Sequence, residues 1–340
     1  MSSSLAHMKS ERVTLHLSRD TTEKRPLVVL LGQTAVGKSR IAVQLAKALD
    51  TDVLTADSRQ VYRGMDIGTD KPSPAEREGV PHRLIDLVEP DERFNAGLFR
   101  RAAVAEIERL YGKGRLPLVV GGTGLWVRAL VRGLWDGPTA DWHYRERLER
   151  EAREHGPAAL HERLAAVDPE SAARLHPNDT VKIIRALEVY HLRGQPLSDG
   201  HRRHGFNERP FAALLIGLLR EREALYRRIE ERVEVELAKG LVDETRRLLA
   251  QGYGRDLGSM KGLGYRQMAG YLAGESSYED AVGALKRDTR RFAKRQLTWF
   301  RKEPGITWLH LAEEEPVETT VGRIMDCIER FLVHLAGDER

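Results

Sequence analysis

The stretch PLVVLLGQTAVGKS, residues 26–39, decides the fold class of this chain. Its first half is a short continuous apolar run that ends in glycine, which is typical of a buried strand in a parallel sheet. The residues that follow, IAVQLAKALD, place Ile41, Leu45 and Leu49 at helical spacing. The sequence therefore predicts a strand, a glycine-containing loop and a helix in direct succession.

The loop in this stretch matches the pattern G-x-x-x-x-G-K-[ST] in the strand–helix context that the pattern requires. Its glycines allow backbone N–H groups to surround a phosphate, and the helix start adds partial positive charge. Lys38 is expected to neutralise a phosphate oxygen, and the Ser39 hydroxyl to ligate Mg²⁺. The predicted phosphate-binding residues are Gly32, Gln33, Thr34, Ala35, Val36, Gly37, Lys38 and Ser39. Because such a loop recognises a phosphoanhydride and not a base, ATP or GTP with phosphoryl transfer is the default expectation.

The rest of the chain predicts an open parallel sheet around this strand. The apolar runs DVLTAD, HRLIDLV, LPLVVGG and FAALLIGLL are separated by segments with helical spacing. Alternation of this kind is typical of an α/β fold with helices on both faces of the sheet. Between about 125 and 205 the strand patterns vanish, which indicates an all-helical insertion. The predicted fold is P-loop NTPase-like.

These patterns also predict the domain boundaries. We expect a flexible N-terminal extension at 1–25 and an α/β core built from 26–125 and 206–312. The helical insertion is predicted at 126–205, where Asp168-Pro169 resembles a helix cap followed by proline. A C-terminal helix is predicted at 313–340.

Composition excludes several classes of protein. With 340 residues, 41% of them hydrophobic and 31% charged, the chain is neither collagen-like nor intrinsically disordered. No apolar run is long enough to span a bilayer, and no secretory signal pattern is present, so we expect a cytoplasmic protein without membrane contact. The single cysteine, Cys327, excludes an internal disulfide and a cysteine zinc cluster. The net charge of +4 is compatible with a polyanionic partner.

One carboxylate is predicted to lie at the end of a strand beside the phosphate loop. The strand LPLVVGGTG ends without an acid, whereas DVLTAD ends in Asp57, which is followed by Ser58, Arg59 and Gln60. The carboxyl ends of parallel strands meet at one edge of the sheet, beside the phosphate loop. Asp57 is therefore a candidate catalytic residue, with a helix cap or solvated turn as the alternative interpretation.

A basic helix is predicted near the end of the chain. Residues 286–302, KRDTRRFAKRQLTWFRK, contain eight Lys or Arg and one Asp. At helical spacing, one side carries Arg287, Arg290, Arg291, Lys294, Arg295, Arg301 and Lys302, and the other carries Leu285, Phe292, Leu297, Trp299 and Phe300. We expect the second side to be buried and the first to meet a phosphate backbone or a diphosphate. A merely solvated face and a membrane-surface helix are the alternatives.

The chain resembles the tRNA dimethylallyltransferases, which prenylate an adenine beside the anticodon. The resemblance spans nearly all of 26–308. It rests on six motifs in order: GQTAVGKS (32–39), ADSRQVYRGMDIGTDKP (56–72), GGTGLW (121–126), HPNDTVKIIRALEV (176–189), GLGYRQM (262–268) and TRRFAKRQLTWFRK (289–302). It implies that the phosphate loop holds the diphosphate of dimethylallyl diphosphate, with Mg²⁺, instead of a nucleoside triphosphate.

The resemblance also implies roles for individual residues. Asp57 resembles the general base toward the adenine amine, Thr123 a threonine at the reaction centre, and Arg232 a diphosphate-contacting arginine. The implied tRNA-binding residues, with the basic helix included, are Asp57, Ser58, Arg59, Gln60, Val181, Lys182, Arg185, Gly264, Tyr265, Arg266, Arg290, Arg291 and Lys294. Four positions depart from the family pattern: Gln33 and Asp70 replace a usual proline and alanine, and Trp126 and Phe292 each replace a usual tyrosine.

The resemblance therefore implies a prenyltransferase that modifies the exocyclic amine of adenine 37, 3′ of the anticodon, in tRNAs that read codons beginning with U. The product would be N6-dimethylallyladenosine. The expected partners are the tRNA anticodon stem-loop and dimethylallyl diphosphate, and the expected state is a monomer. Two other hypotheses fit parts of the sequence: a small-molecule P-loop kinase, and an RNA-binding protein regulated by a nucleotide.

Overall fold

The computed structural model describes residues 24–337, so the predicted extension 1–25 lies almost wholly outside the described residues. The described chain divides into two compact units. The core unit contains the residues up to Val131 and those from Pro210 onward, and the helical unit is Arg132–Arg209.

The core unit contains a six-stranded sheet in which every strand pair is parallel, in the order β3-β2-β4-β1-β5-β6. The strands are β1 (Pro26–Gly32), β2 (Val53–Ala56), β3 (His82–Arg83), β4 (Leu118–Gly121), β5 (Ala212–Leu219) and β6 (Ile306–His310). β1 is buried along all seven residues, as its continuous apolar run predicts. Since β1 lies between β4 and β5, the phosphate loop leaves the sheet near the middle of its carboxyl edge.

Helices cover both faces of this sheet. In chain order the helices are α1 (Lys38–Ala48), α2 (Ala96–Tyr111), α3 (Gly124–Arg132), α4 (Trp142–His155), α5 (Pro157–Val167), α6 (Pro169–Arg174), α7 (Thr180–Arg193), α8 (Leu197–His204), α9 (Arg222–Ala238), α10 (Leu241–Ala250), α11 (Tyr265–Leu272), α12 (Tyr278–Phe300) and α13 (Val317–Gly337). Val29 of β1 packs in a core with α2, α3, α10 and α11, whereas Val28 packs in a second core with α1 and α13. The predicted parallel sheet with helices on both faces is confirmed.

The structure differs from the strand predictions at two places. The run HRLIDLV forms only the two-residue strand β3, because the backbone at Leu84 and Asp86 takes left-handed conformations (φ +66° and +54°) that interrupt an extended strand. β6 was not predicted. It is a five-residue edge strand with a single buried residue, Leu309, so it lacks the continuous apolar run that identifies β1.

The helical unit contains α4–α8 around its own apolar core. Leu148, Leu160, Leu164 and Ile183 are completely buried in this core. The predicted cap at Asp168-Pro169 is present: Asp168 Oδ1 accepts a hydrogen bond from Ser171 N at 3.0 Å at the start of α6.

The boundaries lie several residues from those predicted. The predicted insertion 126–205 is Arg132–Arg209 in the structure, because α3 continues the GGTGLW motif and buries its residues in the core unit. The C-terminal helix α13 begins at Val317 and not at 313. Among residues 24–337, no helix combines the length and the apolar character that crossing a membrane requires.

Candidate active site

A cleft of about 970 Å³ lies at the carboxyl edge of the sheet, within the core unit. Its size is in the range of small-molecule sites. Among the predicted site residues, it is lined by Thr34, Ala35, Gly37, Lys38, Ser39, Asp57, Ser58, Arg59, Gln60, Thr123, Arg232, Tyr265, Arg266 and Arg291. The structure therefore brings the phosphate loop, the end of β2, the GGTG motif and the basic helix to one place.

The phosphate loop has the geometry that an anion site needs. Gly37 caps α1 with φ +108°, a left-handed conformation that favours glycine. The Nζ of Lys38 donates to the carbonyl oxygens of Gly32 and Gln33, at 2.9 and 2.6 Å. Burial lowers the pKa of Lys38 to about 8, and the carboxylate of Asp57 partly offsets this effect. A bound anion would stabilise the charged form of this ammonium group, which burial disfavours.

Arg232 of α9 is the second cation beside the loop. Its guanidinium donates to Thr34 Oγ1 at 2.5 Å and to Glu236 Oε1 at 2.6 Å, and it forms an ion pair with Asp70 Oδ2 at 3.2 Å. Burial by itself would lower the pKa of Arg232, but the two carboxylates raise it above its ordinary value. Burial also raises the pKa of Glu236, an effect that Arg232 partly offsets. Arg232 therefore carries a permanent positive charge at the rim of the phosphate loop.

Asp57 and Thr123 come together because β2 and β4 are neighbouring parallel strands, with Ala56 opposite Gly121. Thr123 Oγ1 accepts a hydrogen bond from Ser58 N at 3.0 Å, which ties the ends of the two strands to each other. Asp57 is half-buried, and its Oδ1 accepts a hydrogen bond from Arg59 N at 2.8 Å. No donor in residues 24–337 contacts Oδ2 of Asp57, so this oxygen is available to a substrate.

The glycines of the GGTGLW motif are required by close packing. A Cβ on Gly121 would lie 2.1 Å from the carbonyl oxygen of Ala56, and one on Gly124 would lie 2.2 Å from the ring of Trp299. Trp126, a departure from the family pattern, is buried and stacks on Phe99 with ring centroids 4.6 Å apart. Close packing at the glycines on both sides of Thr123 thus restricts the position of this residue.

Two glutamine side chains join the phosphate loop to α12: Gln33, which was predicted as part of the loop, and Gln296, which was not predicted. Gln296 Oε1 accepts from Thr34 N at 2.8 Å, and its Nε2 donates to the Gly122 carbonyl oxygen at 3.1 Å. Gln33 Nε2 donates to the Ala293 carbonyl oxygen at 3.0 Å. These contacts hold the phosphate loop and the GGTG motif in a fixed relation. The only signal in the sequence for Gln296 is that it is an uncharged polar residue within the basic helix.

Glu244 of α10 anchors the loop that forms another wall of the cleft. Its buried carboxylate accepts hydrogen bonds from the backbone N–H groups of Asp66, Ile67 and Gly68, at 3.0 to 3.3 Å. The hydroxyl of Tyr265 donates to Glu244 Oε1 at 2.6 Å. This role of Glu244 was not predicted, because nothing in its local sequence distinguishes it from a surface glutamate.

Tyr265, one of the predicted tRNA-binding residues, is buried in the structure. Its side chain is 1% exposed, and its ring touches the backbone of Gly68 so closely that glycine is required there. Its side chain therefore packs against the loop of Gly68, and a contact of this residue with RNA stays a prediction. The neighbouring Gly264 caps α11 with φ +83°, and Arg266 is exposed and paired with Asp288 at 2.7 Å.

Ser58, Arg59 and Gln60 follow Asp57 along the cleft wall. A guanidinium N–H of Arg59 donates to the carbonyl oxygen of Gly258 at 2.6 Å. The Nε2 of Gln60 donates to the carbonyl oxygens of Thr69 and Asp70, at 3.1 and 3.0 Å. Both side chains thus support the loops of the cleft in this structure.

α12 is amphipathic as predicted, but its faces differ in detail. Lys294 and Arg295 are exposed, and so is Arg291, although Asp288 lies 3.6 Å from it. Arg290 is paired with Glu230 of α9 at 2.5 Å, so its charge is largely neutralised. Phe292 was predicted to be buried, but it is 36% exposed and lines the cleft. The reason is a narrower buried stripe, in which Thr289, Ala293 and Gln296 face the core.

The predicted tRNA-binding residues of the helical unit lie at the start of α7. Val181 is 81% exposed, and Lys182 is exposed and paired with Asp179. Arg185 instead donates to Glu188, whose carboxylate is completely buried, and to the Pro138 carbonyl oxygen at 3.1 Å. Arg185 is therefore part of an ion-pair network within the helical unit, and its contact with tRNA stays a prediction.

Comparisons with known proteins agree on one family. A model described as IPP transferase matches residues 60–303. The chain is 48% identical over 311 residues to a tRNA dimethylallyltransferase of Pelotomaculum thermopropionicum, covering 91% of this chain and 98% of that protein. It is 51% identical over 286 residues to the tRNA dimethylallyltransferase of Geobacter sulfurreducens, covering 84% and 92%.

Solved structures show the same similarity. The full-length tRNA isopentenylpyrophosphate transferase of Bacillus halodurans superposes with a TM-score of 0.70 at 40% identity, covering 93% of this chain and 99% of that one. A eukaryotic dimethylallyltransferase acting on tRNA superposes with a TM-score of 0.73 at 28% identity, covering 84% and 74%.

Proposed function

The chain belongs to the IPP transferase family, and from that premise we propose that it transfers a dimethylallyl group from dimethylallyl diphosphate to tRNA. The acceptor is the exocyclic amine of adenine 37, next to the anticodon. The observation that carries the proposal is the cleft itself, in which a phosphate loop with two cations faces the unshared oxygen of Asp57.

In the proposed reaction the amine nitrogen attacks the allylic carbon C1. A C–N bond forms, the C1–O bond breaks, and pyrophosphate leaves with the bonding electron pair. The negative charge that develops on pyrophosphate is stabilised by Lys38, Arg232 and the backbone N–H groups of the phosphate loop. These groups are oriented before substrate binds, because hydrogen bonds to the loop already fix Lys38 and Arg232.

Asp57 is the proposed general base. The lone pair of an exocyclic amine is delocalised into the purine ring, so the amine becomes a competent nucleophile only as its proton is removed. Oδ2 of Asp57 accepts that proton while Arg59 N continues to hold Oδ1. Thr123 keeps Ser58, and with it the adjacent Asp57, in place at the end of β2.

Mg²⁺ is the proposed cofactor. Ser39 is exposed in the first turn of α1, and hydroxyl and diphosphate oxygens are ligands that Mg²⁺ accepts together with water. Residues 24–337 contain no group of three or more His, Cys, Asp or Glu side chains that could hold a metal ion. The ion, when bound, supplies positive charge to the leaving group.

We further propose that the exposed cations Arg291 and Lys294 of α12 contact the tRNA backbone. Charge reversal of both residues should weaken tRNA binding and make the plot of log affinity against log salt shallower, by roughly 0.7–0.9 for each phosphate that the protein no longer neutralises. Pyrophosphate affinity should change little. Lys113→Glu, at an exposed turn that precedes the amino end of β4, is the matched control and should leave the slope unchanged. An unaltered slope in the double variant would contradict the tRNA contact and favour the alternative that this face of α12 is merely solvated.

The whole proposal is tested by a product assay. Unmodified tRNA with adenines next to the anticodon, incubated with the protein, dimethylallyl diphosphate and Mg²⁺, should gain the mass of one five-carbon prenyl unit at adenine 37. ATP should neither replace the donor nor be consumed. The absence of a mass gain at saturating donor, or ATP hydrolysis that depends on an added metabolite, would contradict the proposal and favour a kinase.

A further inference from the structure

Arg232 is paired with two carboxylates that differ in their freedom to leave it. Glu236 lies one turn further along α9 and its side chain is 8% exposed, so it is a fixed partner. Asp70 belongs to a different segment, its side chain is 49% exposed, and it reaches Arg232 from the rim of the cleft at 3.2 Å. Both carboxylates line the cleft, but Asp70 is the more exposed of the two and is therefore more accessible to solvent and to an incoming ligand.

The backbone of Asp70 is held in a strained conformation. Its φ of +52° lies in the left-handed region, where most residues with a Cβ are disfavoured but Asp, Asn and Gly are tolerated. Gln60 donates to its carbonyl oxygen, and Glu244 fixes the preceding residues 66–68. The segment thus presents the Asp70 carboxylate at one defined place beside the phosphate loop.

A carboxylate at this place opposes the ligand that the site is built for. The cations that would hold a diphosphate, Lys38 and Arg232, both interact electrostatically with Asp70. A diphosphate that approaches Arg232 must therefore take over its hydrogen bonds from Asp70 and remain close to a fixed negative charge. Like charges a few ångströms apart in a partly buried site repel strongly.

We propose that Asp70 is an internal competitor for Arg232 that weakens the binding of diphosphates, including the pyrophosphate product. This inference rests on the proposed function. In the empty cleft Asp70 forms an ion pair with Arg232. A bound diphosphate displaces Asp70 from this pair, and Asp70 pairs with Arg232 again as pyrophosphate departs. Asp70 is thereby a specificity-determining residue that limits anion affinity and promotes product release.

The test uses the full-length chain with Asp70→Asn and Asp70→Gly, since both replacements tolerate a positive φ and remove the charge. Calorimetric titration with magnesium pyrophosphate should give a Kd about tenfold lower in both variants than in the unsubstituted protein. Steady-state assays should show a lower KM for dimethylallyl diphosphate. A purely structural role for Asp70 would instead weaken binding.

The matched control is Glu231→Gln. Glu231 lines the same cleft, one residue before Arg232, and is exposed, but it is not paired with that arginine. This variant should change the pyrophosphate Kd by less than about twofold, because charge removed away from the ion pair is screened by solvent. If Glu231→Gln lowered the pyrophosphate Kd by the same factor, the effect would come from the total charge of the cleft and not from the ion pair, and the inference would be wrong.

The possible failures are distinguishable. If the unsubstituted protein binds pyrophosphate but the Asp70 variants bind it equally or less well, the competitor role is wrong and the proposed function stands. If the unsubstituted protein binds no pyrophosphate, both proposals fail. Should Asp70→Gly unfold, the near-isosteric Asp70→Asn still decides the question.

Discussion

Asp57→Asn should lower the rate constant for prenyl transfer by about 100- to 10,000-fold, the usual size of a general-base contribution. Asparagine keeps an oxygen that can accept from Arg59 N, so the geometry at the end of β2 is retained. What is lost is the oxygen that accepts the amine proton as the C–N bond forms. Single-turnover measurements at saturating donor and tRNA report this rate constant directly.

Binding measurements separate this effect from misfolding. The tRNA affinity of Asp57→Asn should remain within about threefold of the original value. Pyrophosphate should bind no more weakly than it does to the unsubstituted protein, because the lost carboxylate also interacts with the cations Lys38 and Arg232. Glu231→Gln, with the same charge change on another wall of the cleft, should retain turnover. A rate close to that of the unsubstituted protein would assign the proton to a different acceptor.

Glu244→Ala should lower the free energy of unfolding by about 3–5 kcal/mol, the largest stability effect that we expect. The variant leaves three backbone N–H groups of residues 66–68 and the buried hydroxyl of Tyr265 without their acceptor. Buried donors without partners are destabilising by roughly 1–3 kcal/mol each, although water reaching the enlarged space compensates part of this loss. Denaturant-induced unfolding measures the change.

Tyr265→Phe is the matched control, because it removes one donor and keeps the ring that packs on Gly68. It should be destabilising by only about 1 kcal/mol. If Glu244→Ala were no more destabilising than Tyr265→Phe, the carboxylate would not be the anchor of the loop. Glu244→Gln keeps one acceptor oxygen, so its free energy of unfolding should lie between those of Glu244→Ala and Tyr265→Phe.

The parts of the site that the sequence predicted are those encoded by short contiguous segments. The phosphate loop follows from residues 26–39 alone, since strand, glycines and helix start are all local. Asp57 was identified for the same reason, as the residue that ends a strand at the edge where the loop also lies. The parallel sheet with helices on both faces followed from the alternation of apolar runs and helical spacing.

The contacts that support these residues could not be predicted, because they join distant segments. Glu244 contacts a loop 177 residues earlier in the chain, and a buried glutamate on a helix has the same local pattern as an exposed one. The burial of Tyr265 likewise depends on Glu244, a partner 21 residues away on another helix that no periodicity identifies. The resemblance to a family indicated that Tyr265 and Arg185 matter, but it did not show whether each acts on RNA or on the fold.

The bonds from Gln33 and Thr34 to α12 span 260 and 262 residues. Arg232 likewise belongs to a helix that follows the entire helical unit in the chain. During synthesis the ribosome releases the phosphate loop first and its supports last. A nascent chain that ends anywhere before α12 would have the recognisable motif and an incomplete pocket, so we expect donor binding to require synthesis through α12.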